Sequence, residues 1–353
     1  MPTEQIKVMV GGEEFTSWEQ VTVRAAFDEA VRAFSLVAAL QLGAAETHQL
    51  FAIGTEIQIF TNEDLLLDGY VDKRKAKLDE DSRGITISGR SKSADLVDSS
   101  AVHDTGNFEN VDPVAIGNGV ATGMSATFVT DQALDAIESY RLTPGSTVIG
   151  VIEQLTRDQG MTLKGLANGN VMITKAGTAR QAGGLYEGVN ILSAESDHDG
   201  SNRHSKITVL GQSDDGTGDD ALEIEGTATD SKVTRFRPHI MVHHESTTKA
   251  FVKQRAATRR DRAAGRALKS EVEMQGFRDE DGEIFEPGNL IWTESETLGI
   301  AQDMLIESIE LTQHFKNGTK ASLSLVDPRT YGGSKGKGNQ SSEDNDLDDS
   351  DAE

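Results

Sequence analysis

Apolar and polar residues alternate in short runs through the first hundred positions. In "IKVMV" (6–10) and "QVTVR" (20–24) every second side chain is apolar, and the turn-prone pair Gly11-Gly12 stands between them. That is the period of a half-buried strand. The following "AAFDEAVRAFSLVAALQL" holds no single period through Val31, Phe34, Leu36 and Leu40, and predicts a short helix over 28–32 and a strand over 34–42. "EIQIFTNEDLLLDGYV" gives two more strands around Asn62-Glu63-Asp64. Next, "GYVDKRKAKLDEDSRGITISGRSKSADLVDSSA" (69–101) reads as a strand, a polar turn, a second strand and an acidic exit. Many short strands with close turns predict a small barrel or sandwich.

The pattern changes after residue 105. "NVDPVAIGNGVATG" opens with Asp112 as a helix cap and Pro113 at the first helical position, where a missing N–H costs nothing. "SATFVTD" reads as a strand. In "TPGSTVIGVIEQLTRDQG" the residues Val148, Ile152 and Leu155 share one helical face, and Gly160 is placed to end the helix. "MTLKGLANGNVMITKAG" predicts a hairpin turning at Asn168-Gly169. Residues 105–182 therefore read as an α/β unit set into a β-rich chain.

The second strand of the 69–101 hairpin has an echo. "ITISGRS" (85–91) is matched by "ITVLGQS" (207–213), with Ile85/Ile87 and Ile207/Val209 on one face and Thr86 and Thr208 on the other. A third strand pair, 305–328, turns at Asn317-Gly318. The expected fold class is thus mainly β with an inserted α/β unit and two small β-barrels per chain. The expected domains are a first barrel at 1–104, the insert at 105–182 and a second barrel at 183–331 carrying a basic helix at 249–269. From Gly332 the chain is rich in glycine and serine and holds seven acidic residues with a single leucine, so 332–353 reads as a disordered acidic tail.

At 353 residues the chain is long enough for two or three cores. No apolar run approaches the ~18 residues of a membrane span, and the N-terminus lacks a basic region followed by an apolar one, so the expected place of synthesis and residence is the cytoplasm. Cysteine is absent, which removes disulfides, thiolate metal sites and thiol nucleophiles together. With 58 acidic against 34 basic residues the formal charge is −24, a field that repels phosphate backbones and argues against nucleic acid as a specific ligand.

Enzymatic motifs are thin. With 58 carboxylates, spacing singles out no catalytic pair, "GGSKGKG" lies in the tail rather than between a strand and a helix, and "IGNGVATG" is explained by capping and close packing. The histidines of "HDGSNRH" (198–204) and "RPHIMVHHE" (237–245) supply no fixed second pair of metal ligands and read as surface histidines. Neither a metal nor a cofactor is expected. The strongest charge anomaly is "KAFVKQRAATRRDRAAGRALKSE", where eight basic residues between Lys249 and Lys269 meet only Asp261 as an acid. On so acidic a chain, Lys253, Arg255, Arg259, Arg260, Arg262 and Arg266 predict an assembly interface; a plainly solvated helix is the competing reading.

"LDGYVDKRKAKLDEDSRGITISGRSKSADLVDSSA" resembles the barrel hairpin of the Mu-type baseplate hub family of contractile-tailed phages, the late-operon P class of tail proteins. The matching residues are Gly69, Tyr70 and Val71, the Asp81-Ser82 turn, Gly89, Arg90 and Ser91, and Asp95 to Asp98. "GVNILSAESDHDGSNRHSKITVLGQ", "RFRPH" (235–239), the basic helix and "GIAQDMLIESIELTQHFKNGTKASLSLVDPRTYG" continue the resemblance in family order across roughly residues 5–332. Ser99 departs from the family, whose members often carry cysteine there. The resemblance implies a structural virion protein of the tail baseplate, assembled in the host cytoplasm as a homotrimeric ring. Its implied partners are the tail tube protein above, the trimeric puncturing spike below, and the baseplate wedge and tape-measure proteins. No catalysis, specific nucleic acid or stable membrane insertion is implied. A tail-tip cell-wall hydrolase and the hub part of a contractile secretion-system spike are the alternative readings.

Overall fold

The structure is a computed structural model that describes residues 4–38, 48–78, 83–157, 159–177, 179–213, 224–333 and 337–339. It is mainly β. The strands and helices in chain order begin with β1 Ile6–Val10, β2 Glu13–Phe15, β3 Trp18–Ala26, β4 Ala33–Ala38, β5 Glu56–Thr61, β6 Asp64–Leu78, β7 Arg83–Ser91 and α1 Ala94–Asp98. After them come β8 Asn107–Val111, α2 Pro113–Val120, β9 Phe128–Thr130, β10 Ile137–Arg141, α3 Val148–Arg157, β11 Thr162–Gly165 and β12 Val171–Thr174. The remainder holds β13 Arg180–Tyr186, β14 Ile191–His198, β15 Lys206–Gln212, β16 Ile224–Thr229, β17 Pro238–Ser246, α4 Lys249–Gly265, β18 Leu268–Gln275, β19 Leu290–Ser295, β20 Ile300–His314 and β21 Gly318–Val326. A 3-10 turn at Pro328–Tyr331 and the two-residue β22, Gly338–Asn339, complete the described chain.

The chain divides into two compact units, neither continuous in sequence. Unit 1 is Met1–Ala182, Val272–Asn289 and Ile306–Ser324; unit 2 is Gly183–Glu271, Leu290–Leu305 and Leu325–Glu353.

In unit 1 an antiparallel sheet runs in the order β20-β3-β4-β7-β6-β5-β1-β2, with the Ser308–His314 part of β20 paired to Gln20–Ala26. Alternation places Val21, Val23, Phe34, Leu36, Ile57, Ile59, Ile85 and Ile87 on a buried face. Each such side chain contributes about 1.5–3 kcal/mol on burial. Asn62, at φ 54°, makes the tight turn between β5 and β6, and Gly318, at φ 75°, the turn between β20 and β21. Among the described residues the strand order does not return to its first strand.

A second core in unit 1 is built by α2, α3 and the three-stranded sheet β11-β12-β9. Ile116, Val120, Phe128, Val148, Ile152, Leu163 and Ile173 form it, joined by Leu96 of α1. Asp112 caps α2 by accepting from the Ala115 amide at 2.8 Å, with Pro113 at its first position, as the sequence predicts. Gly117 is required there, since a Cβ would lie 2.6 Å from the Phe128 ring.

Three expectations are corrected. Residues 28–32 form a turn rather than a helix, because their backbone bonds sideways: Glu29 accepts from Gly165 N at 2.9 Å and Arg32 accepts from Ser91 N at 2.8 Å. The strand that follows is β4, and its expected continuation to 42 lies outside the described residues. The basic helix ends at Gly265, four residues before the expected 269, where the chain packs so tightly on the 3-10 turn that a Cβ would sit 2.4 Å from Thr330 N. The "ITISGRS" and "ITVLGQS" strands share a buried apolar face but not a setting. β7 lies between two antiparallel neighbours, whereas β15 has antiparallel β16 on one side and parallel β17 on the other. A seven-residue alternation reports which face is buried and carries no information about neighbours. The expected tail at 332–353 falls, beyond residues 332–333 and 337–339, outside the described residues.

Candidate assembly surfaces

The hairpin that resembles the hub family is held by close backbone approach and one arginine. Tyr70 pairs with Arg90, Gly69 with Ser91 and Val71 with Gly89, and the register shifts between Val71 and Lys73. A Cβ on Gly69 would stand 2.0 Å from the Arg90 carbonyl oxygen, and one on Gly89 would stand 1.9 Å from the Tyr70 carbonyl oxygen. Both positions are therefore closed to any side chain. Arg90 donates from Nε to Asp72 at 2.6 Å and from Nη2 to Asp98 at 2.7 Å, tying α1 to the sheet. Those hydrogen bonds raise the guanidinium further above its ordinary pKa and hold the Asp98 carboxyl below the usual carboxylate value. Asp95 is exposed in the first turn of α1, where the helix dipole favours an acid. Tyr70 reaches Ser125 through a 3.2 Å contact between hydroxyl oxygens. Gly69, Gly89 and Arg90 thus fix the hairpin itself, and the Asp81-Ser82 turn lies outside the described residues.

The basic helix sits in unit 2 on a sheet of its own. β16, β15 and β17 form three strands, and Val252 and Ala256 of α4 are buried in one cluster with Ile207, Val209, Ile224 and Ala228. Glycines let the helix lie on the strands: a Cβ on Gly226 would be 2.3 Å from Lys253 N, and one on Gly211 would be 2.5 Å from the Thr247 methyl. Thr248 caps the helix by accepting from Phe251 N at 3.3 Å.

The helical period distributes the six basic positions about the buried stripe. Arg255, Arg259, Arg262 and Arg266 recur at intervals of four, three and four residues along one edge, while Lys253 and Arg260 lie along the other. Lys253, Arg255, Arg262 and Arg266 are exposed; Arg259 and Arg260 are half-buried. Arg260 holds its neighbour Asp261 at 2.9 Å, and Arg255 donates to His243 Nδ1 at 2.6 Å. Among the described residues no carboxylate pairs with Lys253, Arg255, Arg259, Arg262 or Arg266. Positive charge is dense enough here to be felt locally: burial, then His239, Arg237 and Arg259, depress the pKa of His204.

The opposite face of the same sheet is apolar and exposed. Leu210 pairs with Val242 and Thr208 with Ile240, and Leu210, Ile240 and Val242 are 38%, 64% and 56% exposed. The consecutive apolar run "IMV" (240–242) was the sequence signal, since it cannot bury both faces in a sheet covered on one side. His204 and His239 stack at 4.6 Å, and His198 lies 3.0 Å from the Leu298 carbonyl oxygen. Among the described residues no group of three or more acidic or imidazole side chains is placed to hold a metal ion.

Three family models match consecutive parts of the chain. They describe the Mu phage baseplate assembly protein GpP-like N-terminal domain at residues 5–91, the second domain of baseplate hub protein gp44-like proteins at 93–175, and the third domain of tail protein NMB1110-like proteins at 203–258. The baseplate hub protein gp44 of Escherichia phage Mu is 26% identical over 333 residues, which cover 91% of this chain and 87% of that protein. Among solved structures, the 43 kDa tail protein of prophage MuSo2 from Shewanella oneidensis has a TM-score of 0.80 at 25% identity, covering 93% of this chain and 99% of that one. The tail protein of Neisseria meningitidis MC58 has a TM-score of 0.74 at 18% identity over 92% and 96% of the two chains, a likeness of fold. Over nine-tenths of its length this chain is similar in sequence to the baseplate hub protein of phage Mu, and it is similar in fold to nearly all of the Shewanella tail protein.

Proposed function

We propose that this protein is the structural hub of a contractile-tail baseplate, acting by assembly, and that it adapts a sixfold tail tube to a threefold puncturing spike. The carrying observation is the likeness to the Mu hub protein over 91% of this chain, with hub and tail domain models matching in order along it. In this reading three chains close into a ring in the virion tail, after assembly in the host cytoplasm. Each chain offers two barrel-like lobes, one from 1–104 and one from 183–331, with 105–182 as an insert. Six lobes present pseudo-sixfold symmetry to the tube, the true threefold axis serves the spike, and closure prevents runaway growth. Wedge and tape-measure proteins are the further partners. Lys253, Arg255, Arg259, Arg260, Arg262 and Arg266 form an assembly surface, because cations that, apart from Arg260, have no carboxylate partner among the described residues fit an acidic neighbour on a chain of charge −24. An averaged image of the assembled baseplate tests the reading. Three copies per ring with two lobes each are expected; six copies, or one lobe per chain, refute it.

A further inference from the structure

β17 is an edge of its three-stranded sheet. β15 pairs with it on one side, and among the described residues no strand pairs with it on the other. Such an edge presents a row of open backbone N–H and C=O groups, and Pro238 removes a donor at its first position only.

The two faces of β17 differ in chemistry. Ile207 pairs with His239 and Val209 with Met241, so His239 and Met241 lie on the side that carries α4. His243 follows them, since a Cβ on Gly211 would lie 3.2 Å from Val252 Cγ1 of the helix and 3.9 Å from His243 Cβ. The helix packs on β16 by its backbone, where a Cβ on Gly226 would be 2.3 Å from Lys253 N, and reaches toward β17 by its side chains. The Phe251 ring lies 5.1 Å from that of His243, Arg255 donates to His243 Nδ1 at 2.6 Å, and Arg259 stands within electrostatic reach of the stacked His204 and His239. Among the described residues no carboxylate pairs with Arg255, Arg259, His239 or His243.

On the face turned away from α4, apolar character rises toward the free edge. The rows across the sheet read Thr227, Thr208, Ile240 and Glu225, Leu210, Val242 from β16 to β17. Ile240 and Val242, at the rim, are exposed, whereas the opposite edge ends the same rows in threonine and glutamate.

We infer that the free edge of β17 takes an extended segment of a partner protein as a further strand, and that this segment alternates acidic with apolar residues. At a strand spacing of about 4.8 Å, its apolar side chains extend the rows that end at Ile240 and Val242, while its carboxylates fall beside His239 and His243 on the side of Arg255 and Arg259. Main-chain bonds supply affinity and the two faces supply specificity. A second copy of this chain fits less well, because the free edge it would offer, β16, turns Glu225, Thr227 and Thr229 to the face where apolar side chains are needed. The inference rests on the reading of α4 as an assembly surface, and gives that surface a geometry and a class of partner.

Two fluorescein-labelled peptides of one composition serve as probes, one alternating glutamate and valine over eight residues, the other with four glutamates followed by four valines. Each is titrated into the full chain at about 50 mM salt and followed by anisotropy. The alternating peptide is expected to bind at least about tenfold more tightly than the block peptide. Ile240→Thr/Val242→Thr, and separately Arg255→Gln/Arg259→Gln, are each expected to weaken it about tenfold with the circular dichroism unchanged. The natural chain supplies a readout that needs no variant: amide hydrogen exchange within 239–244 is expected to slow at least about tenfold when the alternating peptide saturates the site. Absence of binding at millimolar peptide, equal binding of the two peptides, binding indifferent to both double variants, or binding that leaves those amides exchanging as before overturns the inference. Self-association of the natural chain that Ile240→Thr/Val242→Thr abolishes also overturns it, and gives the edge to a second copy. None of these outcomes alters the number of copies and lobes in an averaged image of the baseplate, so this inference and the hub reading fail separately.

Discussion

Arg32 is the side chain whose loss should cost unit 1 the most. It is 3% exposed. Its Nε donates to the Gly165 carbonyl at 3.0 Å, its Nη1 to the Leu66 carbonyl at 3.1 Å, and its Nη2 to both oxygens of Glu286 at 2.7 and 2.9 Å. Replacement by methionine keeps the stem and removes every donor. Two buried carbonyls then lose their donor, and among the described residues Glu286 keeps only Lys164 as a cation, 3.9 Å away. Removing one partner of a buried pair costs about 3–5 kcal/mol, and because the Glu286 side chain is 31% exposed the lower end, about 3 kcal/mol, applies. For a unit of this size that lowers Tm by about 6–12 °C. Thermal unfolding followed by circular dichroism checks it. Arg32→Lys keeps the charge but not the three directions, and is expected to lose about half as much. A Tm for Arg32→Met within a degree of the natural protein would refute the argument, since it would mean that water satisfies what the geometry encloses.

Gly89→Ala is expected to cost about 3 kcal/mol in urea unfolding, because its Cβ would lie 1.9 Å from the Tyr70 carbonyl oxygen and 2.6 Å from the Phe34 ring; an unchanged midpoint refutes that packing. The Glu187 carboxylate accepts from Ser295 Oγ at 2.6 Å, from Thr297 Oγ1 and from Thr297 N at 3.0 Å, which together lower its pKa from 4.5 to about 2. Because the folded value is depressed, the stabilisation is complete above about 4.5 and is lost as pH falls through about 2, and carbon-detected NMR titration should show the carboxyl moving back toward 4.5 in Ser295→Ala/Thr297→Ala. Reversing Arg255, Arg259 and Arg262 to glutamate should block particle assembly while leaving the circular dichroism of the free chain intact; normal assembly of the triple variant would show that α4 is no interface. A fragment ending at Ala182 should fail to give dispersed amide NMR signals, since β3 loses its β20 partner, Arg32 loses Glu286, and Glu4 loses Arg278, which it holds at 2.8 Å; a well-dispersed spectrum would refute that dependence.

Much of the local structure was legible because it depends on neighbours in sequence. The Asp112-Pro113 start of α2, the helix over Val148–Arg157 stopped near Gly160, and the turns at Asn62 and Gly318 follow from capping, period and φ preference. At Asn168-Gly169 both residues tolerate a positive φ, yet Gly169 alone adopts one, at 84°. Residues 28–32 were misread for the opposite reason. Their composition permits a helical turn, but Arg32, Ser91, Glu29 and Gly165 share hydrogen bonds across 59 and 136 positions of sequence or near to it, and no local preference competes with a buried network. The basic helix was legible as a helix and as an anomaly. Its division into two basic edges around a buried stripe needed only the helical period, but the absence of carboxylate partners among the described residues needed the fold.

What stayed hidden is the interleaving of the two units, and its cause is physical. Borders of the units fall inside β13, β18, β20 and β21, so one strand contributes residues to both units and no break in the chain marks the border. A linker would have announced itself by glycine, proline or polar composition. Here "LIESIELTQH" (305–314) offers no such mark. Within unit 1 the ties that follow, Arg32 to Glu286 and Arg278 to Glu4 and Asp64, join positions more than 200 residues apart. In a chain where 26% of residues are charged, each of these arginines has dozens of candidate partners in sequence, and only the folded arrangement selects among them. The same abundance makes the unpaired cations of α4 informative. Where acids outnumber bases by 58 to 34, a row of arginines without carboxylate partners among the described residues is what a surface for an acidic neighbour would require.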